Sequence, residues 1–215
     1  MSSDQIFKNA RREYEKGALD ESSVTACPFE QFRGWFDVAM RLESNEGNAC
    51  ALATVGADSK PSVRMVLLKA FDTRGAVFFT NYESRKGREL EGNPRAALLF
   101  YWPNMERQVR IEGAVEKLAA SETDSYFYSR PKRAQLSAAV SLQSKVALSR
   151  QEIDLAYQRL EEEVGDAQVA RPPHWGGYRL KPDAFEFWQG REGRLHDRLR
   201  YLPHGAAWSI ERLWP

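Results

Sequence analysis

The stretch CALATVGADSKPSVRMVLLKAFDTRGAVFFTN, residues 50–81, decides the fold. Its apolar and β-branched residues fall into three short runs, 50–55, 62–71 and 76–81. The segments between them, GADSKP and DTRG, have turn composition. Runs 96–102 and 107–118 continue the series, so five strands are expected between residues 49 and 118. Parallel neighbours need crossovers of about a dozen residues or more, and these connections are too short. The strands are therefore expected to form an antiparallel sheet or a barrel.

Upstream, residues 28–44 carry Phe29, Phe32, Trp35, Phe36, Ala39 and Met40 at helical spacing, which predicts an amphipathic helix. Two helices are expected downstream. Ser121 opens SETDSYFYSR, which Pro131 closes. Ser149 opens SRQEIDLAYQRLEEEVG, with Glu152 at the capping-box position and Gly165 as the stop. Three further strand-like runs follow near 177–180, 184–189 and 194–201. The expected class is α+β: a mostly antiparallel barrel of about eight strands with peripheral helices. No repeat, low-complexity tract or linker interrupts it, so residues 1–215 read as one domain with a polar arm at residues 1–20.

Lys and Arg number 31 and Asp and Glu 30, a net charge of +1. Such a balance gives no general attraction to nucleic acid or to a membrane, and any anion site must be local. Cys27 and Cys50 make neither a disulfide framework nor a C-x-x-C pair. His174, His196 and His204 are scattered, so no metal site is expected. The opening MSSDQIFKNARREYEKG has no apolar segment, and the longest uncharged apolar run, 96–102, is far short of the ~18 residues that span a bilayer. A soluble protein of a reducing, cytoplasmic compartment is expected.

The segment RLHDRLRY, 194–201, alternates. In a strand it would align Arg194, His196, Arg198 and Arg200 on one face, with Leu195, Asp197, Leu199 and Tyr201 on the other. Such cations repel one another unless an anion or carboxylate sits against them, although a solvated edge-strand face accounts for them equally well. Ser84 is a good N-cap, and Arg85 and Lys86 follow it at a helix start, a phosphate-binding arrangement. An ordinary capped surface helix is the commoner meaning of that pattern. Arg64 and Lys69 in RMVLLK reach one ligand only if the strand bends, bulges or ends between them. Tyr126 and Arg130 share a helical face, which suits either a phosphate or simple packing. G-x-G-x-x-G, G-x-x-x-x-G-K-[ST] and G-x-S-x-G are all missing. Basic clusters with aromatics, Trp188 among them, point to a phosphorylated planar ligand.

The segments RMVLLKAFD, FFTNYESRKGRELEGNP, ERQVRIEG, YFYSRP, WGGYRL and EFWQGREGRLHDR, with the ending ERLWP, together resemble the pyridoxine/pyridoxamine 5′-phosphate oxidase family. They occur in family order and the resemblance runs from about Arg11 to Pro215. It implies an FMN-binding split β-barrel and a homodimer with FMN at the subunit interface. It also implies oxidation of pyridoxine or pyridoxamine 5′-phosphate to pyridoxal 5′-phosphate, FMN accepting the hydride and O2 becoming H2O2. By the same resemblance, Arg64, Lys69, Arg85 and Lys86, with Thr80 and Ser84, would hold the FMN phosphate and nearby groups. Met65, Val66 and Leu67 would run along the flavin, and Phe79, Gln108, Gln143, Ser144, Trp188 and Arg198 would complete the cofactor site. Lys69, Tyr126 and Arg130 would bind the substrate phosphate. Arg194 and His196 would be the catalytic pair beside the flavin, and Arg11, Arg12, Glu13 and Tyr14 would lie in an arm that closes over the substrate.

Two positions depart from the family motif R-P-x-x-S-Q-I-G-A: its serine is Ala134 here and its glycine is Ser137. Two alternatives stand beside the oxidase. A related flavin oxidase of phenazine biosynthesis shares the R-L-H-[DE]-R-L-R-Y run but takes a larger, non-phosphorylated tricyclic substrate. Retention of Lys69, Tyr126 and Arg130 argues against it. The other alternative is a split-barrel protein that binds flavin or haem without turnover.

Overall fold

Alternation and turn chemistry build the sheet, and the computed structural model describes it for residues 13–43 and 46–215. The described residues hold five α-helices: α1 Pro28–Leu42, α2 Arg85–Gly92, α3 Ala120–Ser129, α4 Lys132–Val140 and α5 Arg150–Val164. They also hold nine strands: β1 Ala49–Val55, β2 Pro61–Leu67, β3 Ala70–Asp72, β4 Gly75–Asn81, β5 Arg95–Trp102, β6 Arg107–Lys117, β7 Trp175–Gln189, β8 Asp197–His204 and β9 Ala207–Arg212. The sheet order is β2-β1-β5-β6-β7-β4-β3, with β8 on β7 and β9 on β8. The registers of β1 with β2, β3 with β4, β4 with β7, β7 with β8 and β8 with β9 are all antiparallel.

The chain divides into two compact units. One contains the described residues up to Asn48 with Leu99–Ile111 and Asp183–Pro215; the other contains Ala49–Leu98 and Glu112–Pro182. In the first, the apolar stripe of α1 places Phe32, Trp35 and Ala39 in the core. Phe32 packs against Phe100 and Trp35 against Phe187, ring centroids 5.1 and 5.3 Å apart. Burying each such side chain stabilises by about 1.5–3 kcal/mol. In the second, Phe127, Leu136, Ala138, Val169 and Trp175 form a core on which Phe79 and Tyr126 rest. That core positions the site described below.

The structure departs from the expected elements in six places. Run 62–71 is two strands, because β2 ends at Leu67 and Lys69 N donates to Val77 O at 2.8 Å before β3 begins. Runs 177–180 and 184–189 are one strand, β7, which continues through Pro182. Strand β8 starts at Asp197, not at 194: Glu192–Arg194 is a short 3-10 turn with Gly193 and Arg194 at φ 61° and 64°. Helix α3 begins at Ala120, ahead of Ser121, with no side-chain cap. An extra helix, α4, follows directly because the Pro131 carbonyl accepts from both Ala134 N and Gln135 N. Strand β9, pairing residue by residue with β8, brings the count to nine.

Candidate functional site

In the second unit, a cavity of about 330 Å³ gathers Lys69, Tyr126 and Arg130 with Thr80, Gln143 and Ser137. Lys69 arrives from the break after β2, and Tyr126 from the last turn of α3. Arg130 is the C-cap of that helix, with N donating to Phe127 O at 3.2 Å. The Tyr126 ring stacks on Phe79 at 4.0 Å, and the Arg130 guanidinium lies 4.8 Å over the Trp175 ring. Burial draws the Arg130 pKa down. Its Nη1 is buried with no hydrogen-bond partner among the described residues. A buried charged donor without a partner is costly, so this cavity is built to receive an acceptor.

The start of α2 adjoins the same cavity. Ser84 Oγ accepts from Gly87 N at 3.3 Å and caps the helix. Buried Lys86 donates through Nζ to Thr80 Oγ1 at 3.1 Å and to Gln143 Oε1 at 2.7 Å, and both partners line the cavity. Arg85 N donates to Ser144 Oγ at 3.1 Å, and Ser144 is held at φ 71°, a conformation unusual for serine. Burial, with the Arg64 charge adding to it, lowers the Lys86 pKa to about 8. An anion here would restore the charged form. Gly87 is required, because a Cβ would sit 1.9 Å from Tyr82 O. These donors fit phosphate, and the helix N-terminus adds to the field.

Arg64 turns to the β1–β2 face instead of the cavity. It donates to Leu52 O at 3.1 Å, to Thr54 Oγ1 at 2.5 Å and to Glu89 Oε2 at 3.2 Å. Glu89, missed in the sequence, also accepts from Arg85 Nε at 2.8 Å; its spacing of four from Arg85 on a helix was the available signal. Met65 and Leu67 are exposed on β2, with Val66 half-buried between them.

In the first unit, Trp188 on β7 packs against His196 at 4.7 Å and against Tyr14 at 5.5 Å. Tyr14 also meets His196 edge-on at 5.6 Å. His196 Nδ1 accepts from Arg191 N at 3.1 Å, which leaves the proton of the neutral ring on Nε2. Glu13 accepts from Gly193 N at 3.4 Å, whereas Arg11 and Arg12 lie outside the described residues. Arg194 is exposed in its left-handed conformation, and Gln108 is half-buried on β6. Arg194 and His196 precede β8, so the proposed four-residue face reduces to Arg198 and Arg200. Carboxylates do sit against these two. Glu186, a second residue that sequence alone did not single out, accepts from Arg198 Nε at 2.8 Å, and Glu211 accepts from Arg200 Nη2 at 2.6 Å.

Residues 36–163 match the family model described as pyridoxamine 5′-phosphate oxidase. Residues 175–215 match the pyridoxine 5′-phosphate oxidase C-terminal dimerisation region. A pyridoxine/pyridoxamine 5′-phosphate oxidase of Bordetella petrii is 55% identical over 206 residues, covering 95% of this chain and 97% of that protein. One from Acaryochloris marina is 53% identical, covering 97% and 95%. Among solved structures, PhzG from Burkholderia lata in complex with tetrahydrophenazine-1-carboxylic acid superposes with a TM-score of 0.84 at 33% identity, covering 92% of this chain and 98% of that one. A related FMN-binding protein from Nostoc punctiforme, 18% identical with a TM-score of 0.69, shares the split-barrel fold over 86% of this chain and 97% of its own. On the strength of both family models and these identities, the chain belongs to the pyridoxine/pyridoxamine 5′-phosphate oxidase family of split-barrel flavoproteins.

Proposed function

We propose that this chain, as an FMN-containing cytoplasmic homodimer, oxidises pyridoxine 5′-phosphate and pyridoxamine 5′-phosphate to pyridoxal 5′-phosphate. The observation that carries the reading is the unpartnered, buried Arg130 Nη1 in a cavity shared with Lys69 and Tyr126. A phosphate dianion would satisfy that donor with charge-assisted hydrogen bonds. Lys86, Thr80, Gln143, Ser84, Ser144 and Arg85 would hold the FMN phosphate and polar chain, with Arg64 behind them. Met65–Leu67, Phe79, Gln108, Trp188 and Arg198 would serve the rest of the cofactor. FMN, when bound, supplies the hydride acceptor, and O2 takes the electrons on to H2O2. The chain's own residues bind, orient and exclude water. His196 presents Nε2–H as a donor to the substrate, Arg194 supplies a charge to orient the reacting carbon, and the ring of Tyr14 covers both Trp188 and His196.

The likeness to PhzG favours a second reading, oxidation of a tricyclic carboxylic acid. A carboxylate is also an anion, so charge alone does not separate the two substrates. The 50–55% identity to B6-phosphate oxidases, against 33% to PhzG, favours the first. Purified protein should be yellow and form aldehyde and H2O2 from each B6 phosphate under air. Turnover of a dihydrophenazine carboxylate with none of either B6 phosphate would reverse the assignment, and a flavin-bound protein inert to all would mark a binding protein.

A further inference from the structure

Glu89 is a buried carboxylate inside a cluster of cations. It lies one turn after Arg85 on α2 and is only 8% exposed. Oε1 accepts from Arg85 Nε at 2.8 Å; Oε2 accepts from Thr54 Oγ1 at 2.6 Å, Ser62 Oγ at 2.6 Å and Arg64 Nη2 at 3.2 Å. Burial alone would push its pKa up, yet these donors together hold it at about 2, so it is ionised at neutral pH. The grip on Arg85 is through Nε. Its two terminal nitrogens make no hydrogen bond among the described residues and are left for another acceptor. An isolated surface pair on a helix would need only Arg85 and Glu89. The convergence of two strands and a helix on one carboxylate fixes two guanidiniums at once.

We infer that Glu89 is a positioning residue for the phosphate end of FMN: it aims Arg85, braces Arg64 and supplies the countercharge that keeps Arg64, Arg85 and Lys86 together before the phosphate arrives. The inference rests on the FMN-phosphate role proposed above for that cluster. The groups facing Lys86 are Arg64 from β2, Glu89 from its own helix, Thr80 from β4 and Gln143 from the segment after α4. Lys145, on that same segment, pairs with Glu83 at 3.7 Å. Removing the Glu89 charge therefore leaves Lys86 with its neutral acceptors Thr80 and Gln143 and the opposing charge of Arg64.

FMN is titrated into the flavin-stripped full chain, following flavin fluorescence from about pH 6 to 10, for the parent, Glu89→Gln, Glu89→Asp and Lys86→Ala. Glu89→Gln should bind FMN about ten-fold more weakly at neutral pH and should lose affinity at a lower alkaline midpoint than the parent. Glu89→Asp keeps the charge, so its midpoint should stay with the parent while affinity falls. Parent-like affinity and midpoint in Glu89→Gln, or tighter binding, overturns the inference while a loss in Lys86→Ala leaves the cofactor assignment standing. Unchanged affinity in Lys86→Ala overturns both. Should Glu89→Gln fail to melt cooperatively, Ser62→Ala removes one donor and keeps the charge. It should weaken FMN a few-fold, and no change there overturns the inference equally.

Discussion

Lys86 has its ammonium in a place where burial opposes the charge, and only an anion repays that opposition. Its pKa near 8 sets the sign: FMN should bind best below that pH and more weakly as pH rises through it. Binding above pH 8 should then take up a proton, which calorimetry in buffers of different ionisation enthalpy will detect. Lys86→Ala should weaken FMN about 10- to 150-fold, the worth of a charge-assisted contact of about 1.5–3 kcal/mol, and abolish the proton uptake. Glu89 has the opposite sign. Its carboxyl is held near 2 against an ordinary 4.5, so its contribution is full above 4.5 and is lost as pH falls toward 2. That is about 3 kcal/mol by linkage, to order of magnitude. Denaturant midpoints at neutral pH and at about pH 3 should fall further apart in the parent than in Glu89→Gln. Ser137 lines the cavity, one helical turn beyond Ala134, and its Oγ now donates to Arg133 O at 2.9 Å. Turned inward, it would replace the hydroxyl missing at 134. Ser137→Ala should therefore raise KM for pyridoxine 5′-phosphate a few-fold with kcat little changed, because such contacts bind ground and transition states alike. A fall in kcat at constant KM would place Ser137 elsewhere in the reaction.

At the scale of elements, the helix start at α2 shows how tightly backbone approach governs the site. A Cβ on Gly87 would lie 1.9 Å from Tyr82 O, itself backbone and unable to swing away. Gly87→Ala should displace the first turn of α2, cost about 1–3 kcal/mol as overpacking does, and weaken FMN as well. An alanine variant with parent stability and FMN affinity would show that the helix start tolerates the shift. The cap at Ser84, the strands of residues 49–118 and the helix after Ser149 were legible because each follows from local chemistry: a hydroxyl before a basic turn, alternation, and Ser–x–x–Glu. The break between Arg64 and Lys69 was legible only as a condition, met by β2 ending at Leu67. The 194–201 run was misread because alternation fits a strand equally well three residues early. Gly193 and Arg194 instead turn the chain into β8. Glu186 could not be paired with Arg198, nor Glu89 with Arg64, because contacts between elements far apart in sequence are not local information.

At the scale of the whole molecule, the family's dimerisation region, residues 175–215, contains surface that a lone chain leaves uncovered. Trp214 is 90% exposed while its carbonyl accepts from Arg198 Nη1 at 2.9 Å, so a large aromatic is held in place yet unburied. Edge strand β2 adds Val63 and Met65 at 68% and 64% exposure. Apolar groups fixed in open positions mark association surfaces, and buried tryptophans dominate the energy of such interfaces. Sedimentation equilibrium should give twice the 24.6 kDa of the chain. Trp214→Ala should raise the dimer dissociation constant about ten-fold or more, since hot-spot truncation costs about 2 kcal/mol or above. If FMN binds the dimer in preference to the monomer, mass action requires that added FMN tighten the Trp214→Ala dimer and raise its melting temperature. A monomer that holds FMN as tightly as the dimer would remove that linkage, and with it the reason for placing the cofactor at the subunit interface.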